Sequence, residues 1–269
     1  MDEHSYFENV ASYRLLAKKE VGQNFLIDAS AAKAIVDALG IEEGDEVLEI
    51  GCGLGSLTYF LAQHEEAHIE AIDIDEAMLT KTGEDFSSLS HVNVHYGNAA
   101  RWDYGRYDKI VGNLPYYITS LILEKALLGG TKAKIMVFMV QKEAGERIVS
   151  KPKTKDYSPL AILLSLCYET KKIRTVGRAS FAPAPHVESS VYTIRRKEGV
   201  SLQEGEGVYR LALSLFSQRR KTLYNNLKTL LGEDAKAKEA IASCGLSMTI
   251  RPEEVTPQEF LNLYRQLQK

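Results

Sequence analysis

Glu49-Ile50-Gly51-Cys52-Gly53-Leu54-Gly55-Ser56 is the stretch whose reading decides the fold. It follows a short apolar run, Val47–Ile50, and leads into a segment of helical pattern, Ser56–His64. Glycines in a strand-to-helix turn tolerate positive φ and let the backbone approach a ligand closely. The next apolar run, His68–Ile72, ends at Asp73, about 20 residues after Gly53. In a doubly wound sheet both positions fall at the carboxyl edge of the strands, where ligands bind. An acid there can accept hydrogen bonds from two ribose hydroxyls, so turn and acid together ask for an adenosine-like cofactor. The dinucleotide pattern G-x-G-x-x-G needs a glycine where Ser56 stands, which leaves an E-x-G-x-G turn. By itself the turn is a weak signal, because glycines between a strand and a helix also serve a tight turn that binds nothing.

Outward from this stretch, strands and helices alternate. Asp28 is placed to cap a helix over Ala29–Leu39, which Gly40 stops. Beyond Asp73 come a helix over Glu76–Asp85, strands over Val92–His95 and Lys109–Gly112, a helix over Thr119–Leu128 and an apolar strand over Ala133–Val140. Such alternation predicts an α/β fold, a doubly wound and mostly parallel sheet. Lys172–Val176 and Ser190–Arg195 would add antiparallel edge strands. The glycine-rich segment Arg196–Gly207 reads as a linker, followed by helical patterns over Val208–Leu231, Ala235–Cys244 and Pro257–Gln268, the last capped by Thr256. The expected division is a catalytic domain over 1–196 and a small all-helical domain over 197–269.

Charge is ordinary in sum and uneven in distribution. The net charge is −3, yet residues 171–228 carry 12 Lys and Arg against 4 Glu. One basic surface on a near-neutral chain is compatible with a nucleic-acid partner or with a solvated face. No apolar run reaches the roughly 18 residues of a membrane span. Cys52, Cys167 and Cys244 are too scattered for a disulfide framework, and no Cys/His spacing suggests a metal. A reducing cytoplasm is the expected compartment.

Asn113-Leu114-Pro115-Tyr116 directly follows the fourth strand, again at the ligand edge. An aromatic amine is a poor nucleophile because its lone pair is delocalised into the ring. The Asn113 side-chain oxygen and the Leu114 carbonyl could accept its two hydrogens and localise that lone pair. Pro115 fixes the turn and has no amide hydrogen to obstruct. Tyr116 could stack on an extruded base. Read blandly, the segment is a proline turn with a rim aromatic; its place downstream of Gly51–Gly55 and Asp73 favours amine methylation.

These residues resemble the ribosomal RNA adenine dimethyltransferases, most closely the small-subunit type, over about residues 18–265. Gly22-Gln23-Asn24-Phe25-Leu26 is similar to the family's entry motif, Glu49–Ser56 to its glycine turn and Asn113–Tyr116 to its amine-binding motif. Gln141-Lys142-Glu143 with Arg147, Lys155 and Tyr157 resembles the stretch after the long strand. Phe181-Ala182-Pro183-Ala184-Pro185 resembles the Phe-x-Pro-x-Pro loop, and Phe216-Ser217-Gln218-Arg219-Arg220-Lys221-Thr222-Leu223 the helical-domain signature. The resemblance implies a Rossmann-like methyltransferase fold with S-adenosyl-L-methionine as cofactor. It implies cofactor contacts from Asn24, Leu26, Gly51, Gly53, Asp73, Asn98 and Asn113. Asn113, Leu114, Pro115 and Tyr116 would hold the target adenine, with Phe181 as the opposite wall. Arg219, Arg220 and Lys221 would contact RNA.

Two departures touch the cofactor. Asn98 stands where the family usually has Asp, which costs charge assistance worth about 1 kcal/mol. Asp73 stands for the more usual Glu and is one methylene shorter. The implied partner is small-subunit rRNA in an immature ribosomal subunit, met by a monomer that needs no membrane. A large-subunit rRNA methyltransferase of the macrolide-resistance type, a non-catalytic RNA-binding assembly factor and, more distantly, an NAD-dependent oxidoreductase remain open from sequence.

Overall fold

The computed structural model describes residues 2–13 and 23–269. The basic Arg14, Lys18 and Lys19, and Gly22 of the entry motif, lie outside the described residues. The chain divides into two compact units, Met1–Gly145 with Lys171–Arg195, and Glu146–Thr170 with Arg196–Lys269.

The first unit is built on a sheet whose strands are β2 (Glu46–Ile50), β3 (His68–Asp73), β4 (Val92–Tyr96), β5 (Lys109–Asn113), β6 (Ile135–Gln141), β7 (Tyr168–Val176) and β9 (Ser189–Arg196). Their order is β4-β3-β2-β5-β6-β9-β7. All pairings from β4 to β6 are parallel, and β6 pairs antiparallel with β9, Met139 opposite Val191. The chain runs outward from β2 to β4, then returns to lay β5 on the other side of β2. That reversal is the topological switch point, and ligands of such sheets bind there. The strands are apolar for a physical reason: a parallel sheet covered on both faces buries every side chain. Ile135 to Val140 are all buried, and each such aliphatic side chain contributes about 1.5–3 kcal/mol by leaving water.

Around the sheet lie α1 (Glu3–Ser12), α2 (Ala29–Asp37), α3 (Thr58–Leu61), α4 (Glu76–Phe86) and α5 (Thr119–Gly129). Asp28 caps α2 by accepting the Ala31 amide hydrogen at 3.0 Å, as its position predicts. Buried Lys109 closes the other end, donating to the Gly40 carbonyl at 2.8 Å and pairing with Asp45 at 3.4 Å. The helix expected over Ser56–His64 is only Thr58–Leu61. The segment just before it is held instead by tertiary bonds: Ser56 Oγ donates to the Leu26 carbonyl at 2.7 Å, and the Tyr6 hydroxyl to the Leu54 carbonyl at 2.8 Å.

Three further features depart from the sequence reading. β9 lies inside the sheet, between β6 and β7, so of the two strands expected at the edge only β7 is there. A two-residue ladder, β1 (Phe25–Leu26) with β8 (Phe181–Ala182), pairs Leu26 with Phe181. The segment between β6 and β7, given no element from sequence, forms α6 (Lys142–Ile148) and α7 (Pro159–Cys167).

The second unit holds α7, α8 (Leu202–Phe216), α9 (Leu223–Leu231), α10 (Asp234–Ser243) and α11 (Pro257–Leu267). Residues 146–170, placed with the catalytic domain from sequence, group by compactness with these helices. The second half of the stretch read as a linker is the start of α8, capped by Ser201, whose Oγ accepts the Glu204 amide hydrogen. Its glycines serve close packing: a Cβ at Gly205 would lie 2.3 Å from Cys167 Sγ, and one at Gly207 2.3 Å from the Tyr264 ring. The single pattern over Val208–Leu231 breaks between α8 and α9, where Thr222 caps a new helix. Thr256 caps α11 in a reciprocal capping box with Glu259.

Candidate active site

The glycine turn leaves β2 at the switch point. Gly51, Gly53 and Gly55 have φ of +71°, +51° and +81°. Gly55 has no room for a side chain: a Cβ would meet Tyr6 Oη at 2.5 Å and Phe86 Cε2 at 2.9 Å. The turn is tied to the end of β3. The Gly51 amide donates to the Ile72 carbonyl at 2.8 Å. Asp73 Oδ2 accepts from the Gly53 amide and Oδ1 from the Asp75 amide, both at 2.9 Å. Gln23 Nε2 reaches Asp75 Oδ2 at 2.9 Å and brings the entry segment to the same edge.

These elements enclose a pocket lined by Gln23 to Leu26, the glycine turn with Glu49, Asp73 and Ile74, and Asn113 to Pro115 with Tyr117. Two of its lining residues are carboxylic acids, and its described lining contains no Lys, Arg or His. Burial pushes the Glu49 carboxyl up to about 8 against the Thr58 hydroxyl, which donates to it at 2.6 Å; the charge of Asp73 adds to the rise. Burial likewise raises Asp73, against the amides that bond it. A pocket of this kind suits a ligand that brings its own positive charge. Burial also raises the Cys52 thiol well above its ordinary value, which fits no nucleophilic role for it.

Asn113 ends β5, one strand over from the glycine turn, with Gly112 opposite Ile50. A Cβ at Gly51 would lie 3.6 Å from the Asn113 carbonyl and 3.9 Å from Pro115 Cδ, so turn and Asn-Leu-Pro segment are in close approach. The Leu114 amide is spent on the Met139 carbonyl at 3.0 Å. The Asn113 side-chain amide and the Leu114 carbonyl have no hydrogen-bond partner among the described residues. Pro115 is braced from beyond, its carbonyl accepting from Thr119 Oγ1 at 2.9 Å.

Most of the residues singled out from sequence thus converge: Asn24, Leu26, Gly51, Gly53, Asp73, Asn113, Leu114 and Pro115 all line one pocket. Tyr116 opens a short 3-10 turn, but its side chain lies outside the described residues. Asn98 is not among the lining residues, and its Oδ1 accepts the Ala100 amide hydrogen at 3.0 Å. Phe181 is 3% exposed in the ladder with Leu26 and does not line the pocket. Arg219, Arg220 and Lys221 belong to the second unit. Sequence reasoning missed Glu49 as a buried acid of the pocket, and Tyr117, which is 59% exposed and also lines it. An acid as the next-to-last residue of an apolar strand was the available signal for Glu49.

The family model for ribosomal RNA adenine dimethylase matches residues 14–269. The chain belongs to that family. Among its relatives is the ribosomal RNA small subunit methyltransferase A of Lactobacillus johnsonii, 35% identical over 271 residues, with 94% of this chain and 92% of that protein covered. The protein of the same name from Shouchella clausii is 36% identical and covers 91% and 88%. A solved dimethyladenosine transferase from Plasmodium falciparum superposes with a TM-score of 0.75 at 27% identity, covering 88% of this chain and 94% of that one. The fold is shared as well by the 23S rRNA methyltransferase ErmE, with a TM-score of 0.67 at 23% identity and coverage of 91% and 100%. For this dimethylase-family chain the mostly parallel sheet and the helical C-terminal segment are the expected architecture.

Proposed function

We propose that the protein transfers methyl groups from S-adenosyl-L-methionine to the exocyclic amine of adenines in small-subunit rRNA, two to each base. Family membership and the names of its relatives support this reading. The observation that carries it is the pair of acceptors uncommitted among the described residues, Asn113 and the Leu114 carbonyl, beside the glycine turn at the switch point. The cofactor, when bound, supplies a methyl group on a positively charged sulfur that is already a good leaving group. The pocket fits such a ligand because its two acids meet no cation among its described lining.

Each residue then has a task. Asp73, with its carboxylate held toward the turn, accepts from the ribose. Gly51 and Gly53 let the backbone approach, and Asn24 and Leu26 close over the cofactor. Asn98 Oδ1, which keeps a second lone pair beside the Ala100 amide hydrogen, accepts from the adenine amine of the cofactor. Asn113 and Leu114 accept the amine hydrogens of the target base and aim its lone pair, Pro115 keeps that segment rigid, and Tyr116 flanks the base; Phe181 forms the opposite wall only if it leaves its buried place beside Leu26. The methylated ammonium is acidic enough to release its proton to water, so positioning, not a strong base, is the main catalytic effect. The substrate is rRNA in an immature subunit, met by a cytoplasmic monomer.

The test is methyl transfer to small subunits from a strain lacking this gene, with mass spectrometry of the nucleosides. Asn113→Ala is expected to lower transfer at least 100-fold while S-adenosylmethionine still binds. Transfer at the parent rate would refute the mechanism. Label appearing in large-subunit rRNA instead would reassign the substrate.

A further inference from the structure

In the second unit, the loop from Ser150 to Tyr157 is fastened at several points. Arg219 Nε and Nη2 both lie 3.0 Å from Glu253 Oε2, and Nη1 donates to the Lys155 carbonyl at 3.1 Å. The Lys153 amide donates to the Glu253 carbonyl at 2.8 Å. The Tyr157 hydroxyl donates to the Val255 carbonyl at 2.9 Å, and its ring meets Phe216 edge-on at 5.9 Å. Arg219 lies over the same Phe216 ring at 5.5 Å.

What this framework displays is positive charge. Lys151, Lys153, Lys155, Arg220 and Lys221 are all exposed, and none has an ion-pair partner among the described residues. The neighbouring acids are already engaged, Asp156 with Arg147 at 3.6 Å and Glu253 with Arg219. Lys153 has a φ of +66° and is alone among the described non-glycine residues in taking a positive value. Glycine would take that conformation without the steric conflict a Cβ brings. A long cation kept where glycine fits better points to a use for the cation.

We propose that Lys151, Lys153 and Lys155 extend the basic pair Arg220 and Lys221, whose RNA contact the family resemblance implies, into a preordered cradle for the phosphodiester backbone of the substrate RNA, and that Arg219 is its strut and not an RNA ligand. The proposal rests on the RNA-methylating reading above. A chain of net charge −3 must draw its attraction for RNA from a local surface, and phosphate contacts fix register without reading sequence. A loop ordered beforehand loses little freedom on binding, so more of the attraction appears as affinity.

The test measures binding to unmethylated small subunits from a strain lacking this gene, over a range of salt. Lys153→Gly removes the charge and relieves the backbone. It is expected to melt no lower than the parent, to bind S-adenosylmethionine unchanged and to bind subunits about tenfold more weakly. Its salt slope should be shallower by about 0.7–0.9, the loss of one phosphate contact. Changing Lys151 and Lys155 to Gln in addition should deepen both effects. Arg219→Gln should speed tryptic cleavage within residues 151–155, whereas Arg220→Gln should weaken binding without speeding cleavage. Parent-like affinity and slope in Lys153→Gly and in the triple variant overturn the cradle while leaving the methyltransferase assignment intact. A parent protein that neither binds nor methylates subunits overturns both.

Discussion

Asp73 Oδ2 accepts the amide hydrogen of Gly53 at 2.9 Å, so the acid that ends β3 braces the glycine turn that follows β2. Its other oxygen takes the Asp75 amide at the same distance. One carboxylate therefore shapes the turn and faces the pocket, and a carboxylate has lone pairs enough to serve a ribose as well.

Asp73→Ala should lose two charge-assisted hydrogen bonds, each worth about 1.5–3 kcal/mol. S-adenosylmethionine affinity is expected to fall at least tenfold and the melting temperature by several degrees. Calorimetric titration and a thermal melt read both. An unchanged affinity would mean that the brace does not form the cofactor site.

Glu49 carries a sign that can be worked out. Its buried carboxyl is raised from 4.5 to about 8, so between these values the native chain holds a proton that the unfolded chain has released. Stability from this group is present at low pH and is lost as pH rises through that window. Glu49→Gln should flatten the decline and melt higher than the parent at pH 9, by about 5 °C. Equal melting temperatures at pH 9 would count against a neutral buried acid.

The junction between α1 and the glycine turn is tight. Tyr6→Phe leaves the Leu54 carbonyl without its buried partner and should cost about 1–3 kcal/mol. Gly55→Ala should cost more, because its Cβ would strike Tyr6 and Phe86 at a φ of +81°. Denaturant midpoints of the two variants give the ranking, and a reversed order would show that the contact yields easily.

Gly205 tests whether the glycines of α8 are packing residues. In a free helix Gly→Ala gains about 1 kcal/mol. Here the new methyl would overlap Cys167 Sγ, and overpacking should turn that gain into a loss of about 1–3 kcal/mol. Gly205→Ala combined with Cys167→Ala should recover the stability. A stabilising single variant would restore the flexible-linker reading.

The sequence by itself determined the α/β alternation, the order of the strands along the chain, the caps at Asp28 and Thr256, and the meeting of Gly51, Asp73 and Asn113 at one edge. These are local signals: hydrophobic period, a capping side chain, a turn that only glycine tolerates, and the rule that parallel strands share their carboxyl ends. Tertiary structure alone decided the pairing of Leu26 with Phe181, the shortening of α3, the helical state of the residues after Ser201 and the capture of Arg219 by Glu253. A two-residue ladder has no period to read, and a glycine pressed against another helix looks in sequence like a glycine in a linker. An arginine in a basic run looks free until its partner, far along the chain, folds beside it. Contacts between distant segments supply the free energy that overrides local preference, and they exist only once the chain has closed on itself.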